Sequence, residues 1–203
     1  MRLLAIISLL VLLAGCVGQA NVPPVQYYVL GNGYEAANAR RASQSNARVL
    51  LVNPTTVSAF YDTQRLVYSR AEGQRAYYQF AAWTERPGRA FSELLARRLG
   101  APSTTSGVKG DVVLHTRLHE VYHDAASSTV KIDVSAELVD TAGRVIGERR
   151  RFLRSVATSA ENAAAAVEAA NRAVAEVLDE IADWVEGRQP RGIAAARDSA
   201  AAR

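Results

Sequence analysis

The side chains best suited to covalent or metal chemistry are one cysteine, Cys16, and three histidines, His115, His119 and His123. A thiolate is a nucleophile or a metal ligand, and a neutral imidazole binds metals. On a helix, a spacing of four residues would place the histidines on one face. The surrounding valine, threonine and tyrosine residues favour a strand, where successive histidines would lie about 13 Å apart. Zinc bonds its ligands at about 2 Å, so we predict solvent-facing strand histidines and no metal site.

Cys16 ends a short apolar segment. Residues 3–14 are almost entirely apolar and follow an arginine. Crossing a bilayer takes about 20 apolar residues, so this segment matches the apolar core of a secretory signal. The sequence "LAGC" resembles the bacterial lipobox, at which the signal is removed and the thiol receives diacylglycerol. We predict that residues 1–15 are a signal peptide and that Cys16 is the lipid-attachment residue. The alternative is an exported protein with a chance cysteine.

A lipidated cysteine acts as an anchor rather than as a catalyst. One acyl chain such as palmitate binds membranes only marginally, and stable anchoring takes a second signal; bacterial lipoproteins carry more than one chain. Val17 stands where an aspartate marks inner-membrane retention in enteric bacteria. This favours the outer membrane of a Gram-negative cell, with the domain facing the periplasm. No second cysteine is present for a disulfide.

No enzyme motif lies in the structural context that its chemistry needs. G-x-S-x-G, the P-loop and a complete G-x-G-x-x-G are absent. One H-E-x-x-H match occurs at residues 119–123, but the zinc motif requires a helix, and in the predicted strand its two histidines would lie about 13 Å apart. The acidic pairs Asp179/Glu180 and Asp183/Glu186 lie on the polar side of a predicted helix, where a solvated face is the simpler interpretation. Arginine, which supplies most of the positive charge, grips phosphate, but an exported protein rarely meets nucleic acid. We predict a non-enzymatic protein with no cofactor and no nucleic-acid partner.

Hydrophobic periodicity predicts an α+β fold with a mainly antiparallel sheet. "QYYVL" and "ARVLLV" are typical of strands, and "RLVYS" with "RAYYQFAAW" predicts a hairpin. "DVVLHTRLHEVYH", "STVKIDVSAELVD" and "VIGERRRFLRS" alternate apolar and polar residues between short turns, which predicts an antiparallel meander. In the first of these segments one face is predicted to carry Val112, Leu114, Leu118 and Tyr122, with the three histidines on the other face.

Two amphipathic helices are predicted to pack on this sheet. The first spans residues 87–99, with Pro87 in its first turn. The second spans residues 159–186, where Thr158 and Glu161 have the spacing of a capping box. Apolar positions recur every three or four residues on both: Phe91, Leu94, Leu95 and Leu99 in the first helix, and Val174, Leu178 and Ile181 among those of the second.

A cluster of aromatic residues coincides with the predicted hairpin. Core and hairpin packing is the simpler interpretation for each residue, and the alternative is an exposed patch that meets a partner protein or lipid tails. The cluster consists of Tyr61, Tyr68, Tyr77, Tyr78, Phe80 and Trp83.

The chain divides into four parts. After the signal peptide, residues 16–26 contain the lipidated cysteine and a proline-containing tether, and ten stretched residues reach about 33 Å. Residues 27–187 are long enough for one domain with its own core. Residues 188–203, rich in alanine and arginine, are predicted to be a disordered tail.

The order of these segments resembles the ABC-type transport auxiliary lipoprotein family, which includes the lipoprotein of the paraquat-inducible operon. The resemblance runs through "YYVL", "VLLVNPTTVSAFYDTQRLVYSR", "YYQFAAWTERP", the first helix and "GDVVLHTRLHEV", and covers residues 27–187. It is most specific from the strand at Arg65–Tyr68 through Trp83 and Pro87, and the lipobox belongs to the same pattern. Ser69 before Arg70 and the alanine- and arginine-rich tail depart from it.

The resemblance implies a periplasm-facing lipoprotein that works with an MCE-type system. In such systems an inner-membrane ABC transporter and an MCE-family protein move lipids across the envelope. The family supplies no catalytic residues. We expect this protein to dock the assembly to the outer membrane, either singly or as a ring of copies. The alternative is a periplasmic lipid-binding carrier with an apolar pocket between the sheet and the long helix.

Overall fold

The computed structural model describes residues 22–33 and 49–188. Within these ranges the chain forms eight strands and two α-helices, with single turns of 3-10 helix at Ala59–Tyr61 and Thr104–Ser106. The predicted α+β fold is confirmed. In chain order the elements are β1 (Gln26–Tyr28), β2 (Leu50–Val52), β3 (Thr56–Val57), β4 (Arg65–Ser69), β5 (Ala76–Trp83), α1 (Pro87–Leu99), β6 (Val112–Asp124), β7 (Thr129–Asp140), β8 (Val145–Ala157) and α2 (Ala163–Arg188).

The strands form one open sheet in the order β1-β5-β4-β6-β7-β8, and β2 and β3 also pair with β6. The predicted hairpin β4–β5 and the meander β6–β7–β8 are both antiparallel. The short N-terminal strands are different, because β1 pairs with β5, and β2, β3 and β4 pair with β6, all in parallel. The sheet is therefore mostly but not purely antiparallel.

Strand β7 shows the alternation that its sequence predicts. Its apolar residues face the helices and are buried, while Lys131 and Glu137 on the other face are partly exposed. Asp133 and Ser135 also lie on that second face but are buried, because neighbouring strands place side chains over them. The buried apolar set is Val130, Ile132, Val134, Ala136 and Leu138.

Strand β6 departs from its predicted alternation after Leu118. A register shift between Leu118 and Glu120 marks a β-bulge against β7. Because an extra residue reverses the side-chain direction beyond it, His123 pairs opposite the buried Val130, and Tyr122 pairs opposite Lys131. The prediction that Tyr122 faces the core and His123 faces solvent is therefore wrong, and the two residues occupy the opposite faces.

Helix α1 has the predicted bounds. Pro87 starts it, where its missing N–H costs no hydrogen bond, and Gly100 ends it with a left-handed φ of 59°. Its second residue, Gly88, lies so close to β3 that an added Cβ would be 2.2 Å from a methyl group of Val57. The absence of a side chain at this position therefore lets the start of α1 approach the sheet.

Helix α2 begins later than predicted. The side chain of Asn162 caps it, because its Oδ1 accepts a hydrogen bond from the Ala165 N–H at 2.9 Å. Thr158 cannot serve as the cap, since β8 extends to Ala157 and the Thr158 hydroxyl donates to the Ser128 carbonyl at 3.1 Å. The predicted capping box is therefore wrong.

Both helices pack in one core on the same face of the sheet. Val174, Leu178 and Ile181 of α2 are each no more than 1% exposed, as predicted. Ala169 and Ala173 are fully buried, so these small residues let α2 lie close to the strands. The two helices also meet through an ion pair of 2.6 Å between the buried Arg98 and Asp179.

Candidate functional site

Within the described residues, α1 and α2 leave the other face of the sheet without a helix over it. We call this surface the open face. In β7 it includes Lys131, Asp133 and Glu137, and in β6 it includes Arg117 and Tyr122. Most of this face is formed by β6, β7 and β8, the longest strands of the sheet. It presents polar and aromatic side chains together on one broad surface.

Ion pairs and hydrogen bonds cross the open face from β6 to β8. His119 Nε2 and Ser135 Oγ are 2.8 Å apart. Arg151 Nε donates to Asp133 at 2.8 Å, and Arg149 donates to Glu137 at 2.8 Å. Asp133 and Glu137 of β7 are thus each paired with an arginine of β8, which explains why Asp133 can be buried without remaining an unpaired charge.

A polar cleft lies in this region of the open face. Its volume is about 190 Å³, and Asn53, His115, Arg117, Ser135 and Glu137 are among the residues that line it. Asn53 Nδ2 and His115 Nδ1 are 3.5 Å apart. These groups offer hydrogen bonds and positive charge to a ligand or partner, and they do not form an apolar pocket.

Toward β4 and β5 the open face becomes aromatic. Phe60 stacks on Tyr77 with ring centroids 4.8 Å apart, and the guanidinium of Arg65 lies 4.2 Å from the Tyr77 centroid. Phe60 remains 40% exposed. Aromatic rings and arginines are the residue types enriched in protein interfaces.

Arg75 organises the adjoining part of this aromatic region. Its guanidinium lies 3.7 Å from the ring centroid of Tyr122. Its Nε donates to the Tyr61 hydroxyl at 2.9 Å, and Nη2 is 3.4 Å from Glu120. Burial raises the pKa of Tyr61, although the hydrogen bond from Arg75 opposes this. The phenol of Tyr61 therefore stays protonated at neutral pH. The contacts with Tyr122, Tyr61 and Glu120 together hold the Arg75 guanidinium in one orientation.

The predicted aromatic cluster divides between the two faces. Trp83 is 4% exposed, which agrees with core packing. Tyr61 is 6% exposed, but its hydroxyl contacts Arg75 and Glu120 on the open face. Tyr77 belongs to the open face, whereas Tyr78 faces α2 and contacts Tyr68. Sequence reasoning missed Phe60 and Tyr27, which are the most exposed aromatic residues in the described ranges. Tyr27 alternates with two valines in "VQYYV", and that alternation is the sequence pattern that could have placed Tyr27 and the valines on one side of a strand.

The histidines do not assemble a metal site. No group of three or more potential metal ligands occurs among the described residues. His115 and His119 are half-buried on the open face. His123 is 2% exposed, and its Nδ1 lies 2.6 Å from the Tyr78 hydroxyl. Burial lowers the pKa of His123 despite the opposing charge of Asp124, so the ring is neutral at pH 7.

The space between the sheet and α2 is small where it can be described. A cavity of about 20 Å³ lies there, lined by Trp83, Val121, His123 and Ala170 among others. Ligand pockets usually have about 300–1,000 Å³. This cavity can hold about one water molecule. His123 is one of its lining residues, and the Nε2 of His123 is a buried atom with no partner among the described groups.

The acidic pairs of α2 lie at its surface, and some of them form ion pairs. Asp179 binds Arg98 at 2.6 Å, and Glu180 binds Arg154 of β8. These contacts connect α2 to α1 and to the sheet, which is a structural role. Neither helix within the described ranges has both the length and the apolar character that a membrane-spanning segment needs.

The proposed attachment residue, Cys16, lies outside the described residues, as do the predicted signal peptide at residues 1–15 and most of the predicted tail at 188–203. Of the predicted tether, residues 22–26 are described, and residues 22–25 have no regular secondary structure and are exposed. These assignments therefore remain predictions from the sequence.

Comparison with known proteins gives one family match. Residues 28–182 match the family described as "ABC-type transport auxiliary lipoprotein component". Protein XCC0632 from Xanthomonas campestris, assigned to the family model DUF330, has a TM-score of 0.64 and 20% identity, and the match covers 68% of this chain and 83% of that chain. A second solved structure, of an uncharacterised protein, has a TM-score of 0.63 and 14% identity, and the match covers 80% of this chain and 99% of that chain. At these identities the structures share the fold. No curated protein sequence matches this chain.

Proposed function

Because the chain belongs to the ABC-type transport auxiliary lipoprotein component family, we propose that it docks an MCE-type lipid transport assembly to the outer membrane. Cys16 carries the lipid anchor, and the domain faces the periplasm. The partners are an MCE-family protein and, through it, an inner-membrane ABC transporter. The observation that carries the proposal is the family match across residues 28–182, which spans β2 to β8, the last residue of β1 and most of α2.

The open face supports a binding role rather than a catalytic one. Its carboxylates Asp133 and Glu137 are paired with arginines, and Arg75 is held between Tyr61 and Tyr122. Groups held in this way present a fixed pattern of charge and aromatic surface, which favours selective recognition of a partner. Arg117 and the polar cleft beside it add positive charge to that pattern.

Packing between the sheet and α2 supports docking over lipid carriage. A carrier needs room for acyl chains, and the described cavity at that position has about 20 Å³. The neighbouring face of α2 is filled by buried alanines and valines that contact the sheet directly. Opening a lipid-sized pocket there would require α2 to move away from the strands.

Photo-crosslinking tests the dock in cells. A photoreactive residue at Arg117, in the polar cleft, should crosslink to the MCE-family protein, whereas the same residue at the exposed Asp183 on α2 should not. A crosslink only to a second copy of this chain would support a ring of copies. It would also contradict binding of the MCE-family protein at the polar cleft.

Complementation separates a dock from a carrier. A periplasmic form without the lipid anchor should fold but fail to restore the envelope barrier against detergents, because a dock needs attachment. Full complementation by that form would contradict docking and would support a free carrier.

A further inference from the structure

Exposed apolar side chains are concentrated at the start of the domain. Val25, Tyr27 and Val29 are 44%, 66% and 51% exposed. They are alternate residues in or beside the strand β1, and alternate residues of an extended chain project to the same side. We call these three residues the N-terminal stripe. Single exposed apolar residues are ordinary, but three in register along an edge strand form a continuous strip.

The N-terminal stripe continues onto the open face. Tyr27 pairs opposite Ala82 of β5, and Ala82 pairs opposite Arg65 of β4. Directly paired residues share a face of the sheet, so Tyr27 and Arg65 lie on the same side. Arg65 in turn contacts Tyr77 at 4.2 Å. The surface therefore combines valines, exposed tyrosine and an arginine at one edge of the sheet.

We propose that the N-terminal stripe rests in the interfacial region of the membrane to which the chain is anchored. The inference depends on the anchor at Cys16 from the proposed function. Val22 is the sixth residue after Cys16, a distance of about 20 Å along a fully stretched chain, so the stripe is the part of the described domain that the anchor holds nearest to the bilayer. No other described surface follows the tether so directly.

The chemistry of the stripe suits a bilayer interface. Tyrosine is enriched at the level of the lipid headgroups because its ring is apolar and its hydroxyl is polar. The valines supply apolar area, and Arg65 supplies positive charge for anionic headgroups. Aromatic residues and arginine are also enriched in protein interfaces; the short tether is the observation that favours the membrane.

Contact with the membrane would also set the orientation of the domain. β8 is the strand farthest from β1 in the sheet order, and five strand spacings of about 4.8 Å separate the two edges by about 24 Å. With β1 at the bilayer, the edge strand β8 and the polar part of the open face project into the periplasm. The proposed docking surface would then face the transport assembly.

Tryptophan fluorescence tests this orientation. Both native tryptophans, Trp83 and Trp184, are buried, at 4% and 5% exposed, and give a constant background. A chain beginning at Cys16, its only cysteine, is coupled through that thiol to a maleimide lipid. It is then placed on vesicles of phosphatidylethanolamine and phosphatidylglycerol with brominated acyl chains. Chemical coupling makes this test independent of whether cells lipidate the cysteine.

Tyr27→Trp is the test variant, and Leu153→Trp is its matched control, because Leu153 is 57% exposed on β8 at the opposite edge. We expect the added emission of Tyr27→Trp to be quenched about twofold or more relative to Leu153→Trp, since brominated chains quench only residues near the acyl region. Equal quenching of the two variants would overturn the inference. A blue shift of Tyr27→Trp without quenching would also overturn it, because the stripe would then be covered by protein.

Discussion

Replacing Leu178 by alanine tests whether α2 is held by packing against the sheet. Leu178 is fully buried, in the part of α2 that also contains the buried Val174 and Ile181. The strands beneath it belong to a hydrogen-bonded meander, so they cannot collapse easily into the vacated space. Leu178→Ala should therefore lower the free energy of unfolding by about 2–5 kcal/mol, the range for a buried leucine truncated to alanine.

The change is measurable by urea denaturation and by thermal unfolding. At about 2–4 °C per kcal/mol for a domain of this size, the melting temperature should fall by about 4–20 °C. Asp183→Ala on the exposed side of the same helix is the matched control, and it should change stability by less than about 0.5 kcal/mol. A loss for Leu178→Ala as small as that of the control would refute the packing of α2 on the sheet.

Three further predictions concern the anchor, a buried histidine and a helix cap. Cys16→Ala should leave a longer, unprocessed precursor on immunoblots, and a variant that is processed normally and still resists membrane extraction would contradict lipidation at this residue. Burial lowers the pKa of His123 in the folded state, so the unfolded chain takes up the proton first as pH falls. Stability should then be fully present above about pH 6.5, the unfolded value, and decrease below it. His123→Gln should flatten this acid dependence in urea denaturation series, and an unchanged slope would assign it to other groups. Asn162→Ala should destabilise the domain by about 1 kcal/mol through loss of the α2 cap, whereas Thr158→Ala should leave helix content unchanged by circular dichroism; the reverse result would restore the capping box.

Short-range signals predicted several elements correctly. Helix α1 has its predicted bounds because Pro87 and Gly100 act through their own backbone conformations. Strand β7 has its predicted faces because its apolar and polar residues alternate without interruption. The meander was predictable because its strands also alternate apolar and polar residues and because each short turn connects two strands that follow one another in the sequence.

Two errors arose where a neighbouring element competes for the same residue. The bulge at Leu118/Glu120 depends on how β6 matches β7, and nothing in the sequence of β6 alone marks it. Thr158 has a capping residue's side chain, but its backbone N–H and hydroxyl both contact Ser128. In each case a contact across the sheet overrides the local preference.

The sequence by itself determined the α+β class, the two amphipathic helices, the antiparallel meander and the candidate lipid anchor at Cys16, because each depends on residues that are close along the chain. Tertiary structure alone decided the parallel pairing of β1 with β5 and of β2, β3 and β4 with β6. It also decided the burial of His123 and the placement of Tyr27, Arg65 and Tyr77 on one surface. Those features bring together residues from separate strands. Their positions depend on the register and direction of strands that meet only in the folded sheet, which periodicity within one strand does not specify.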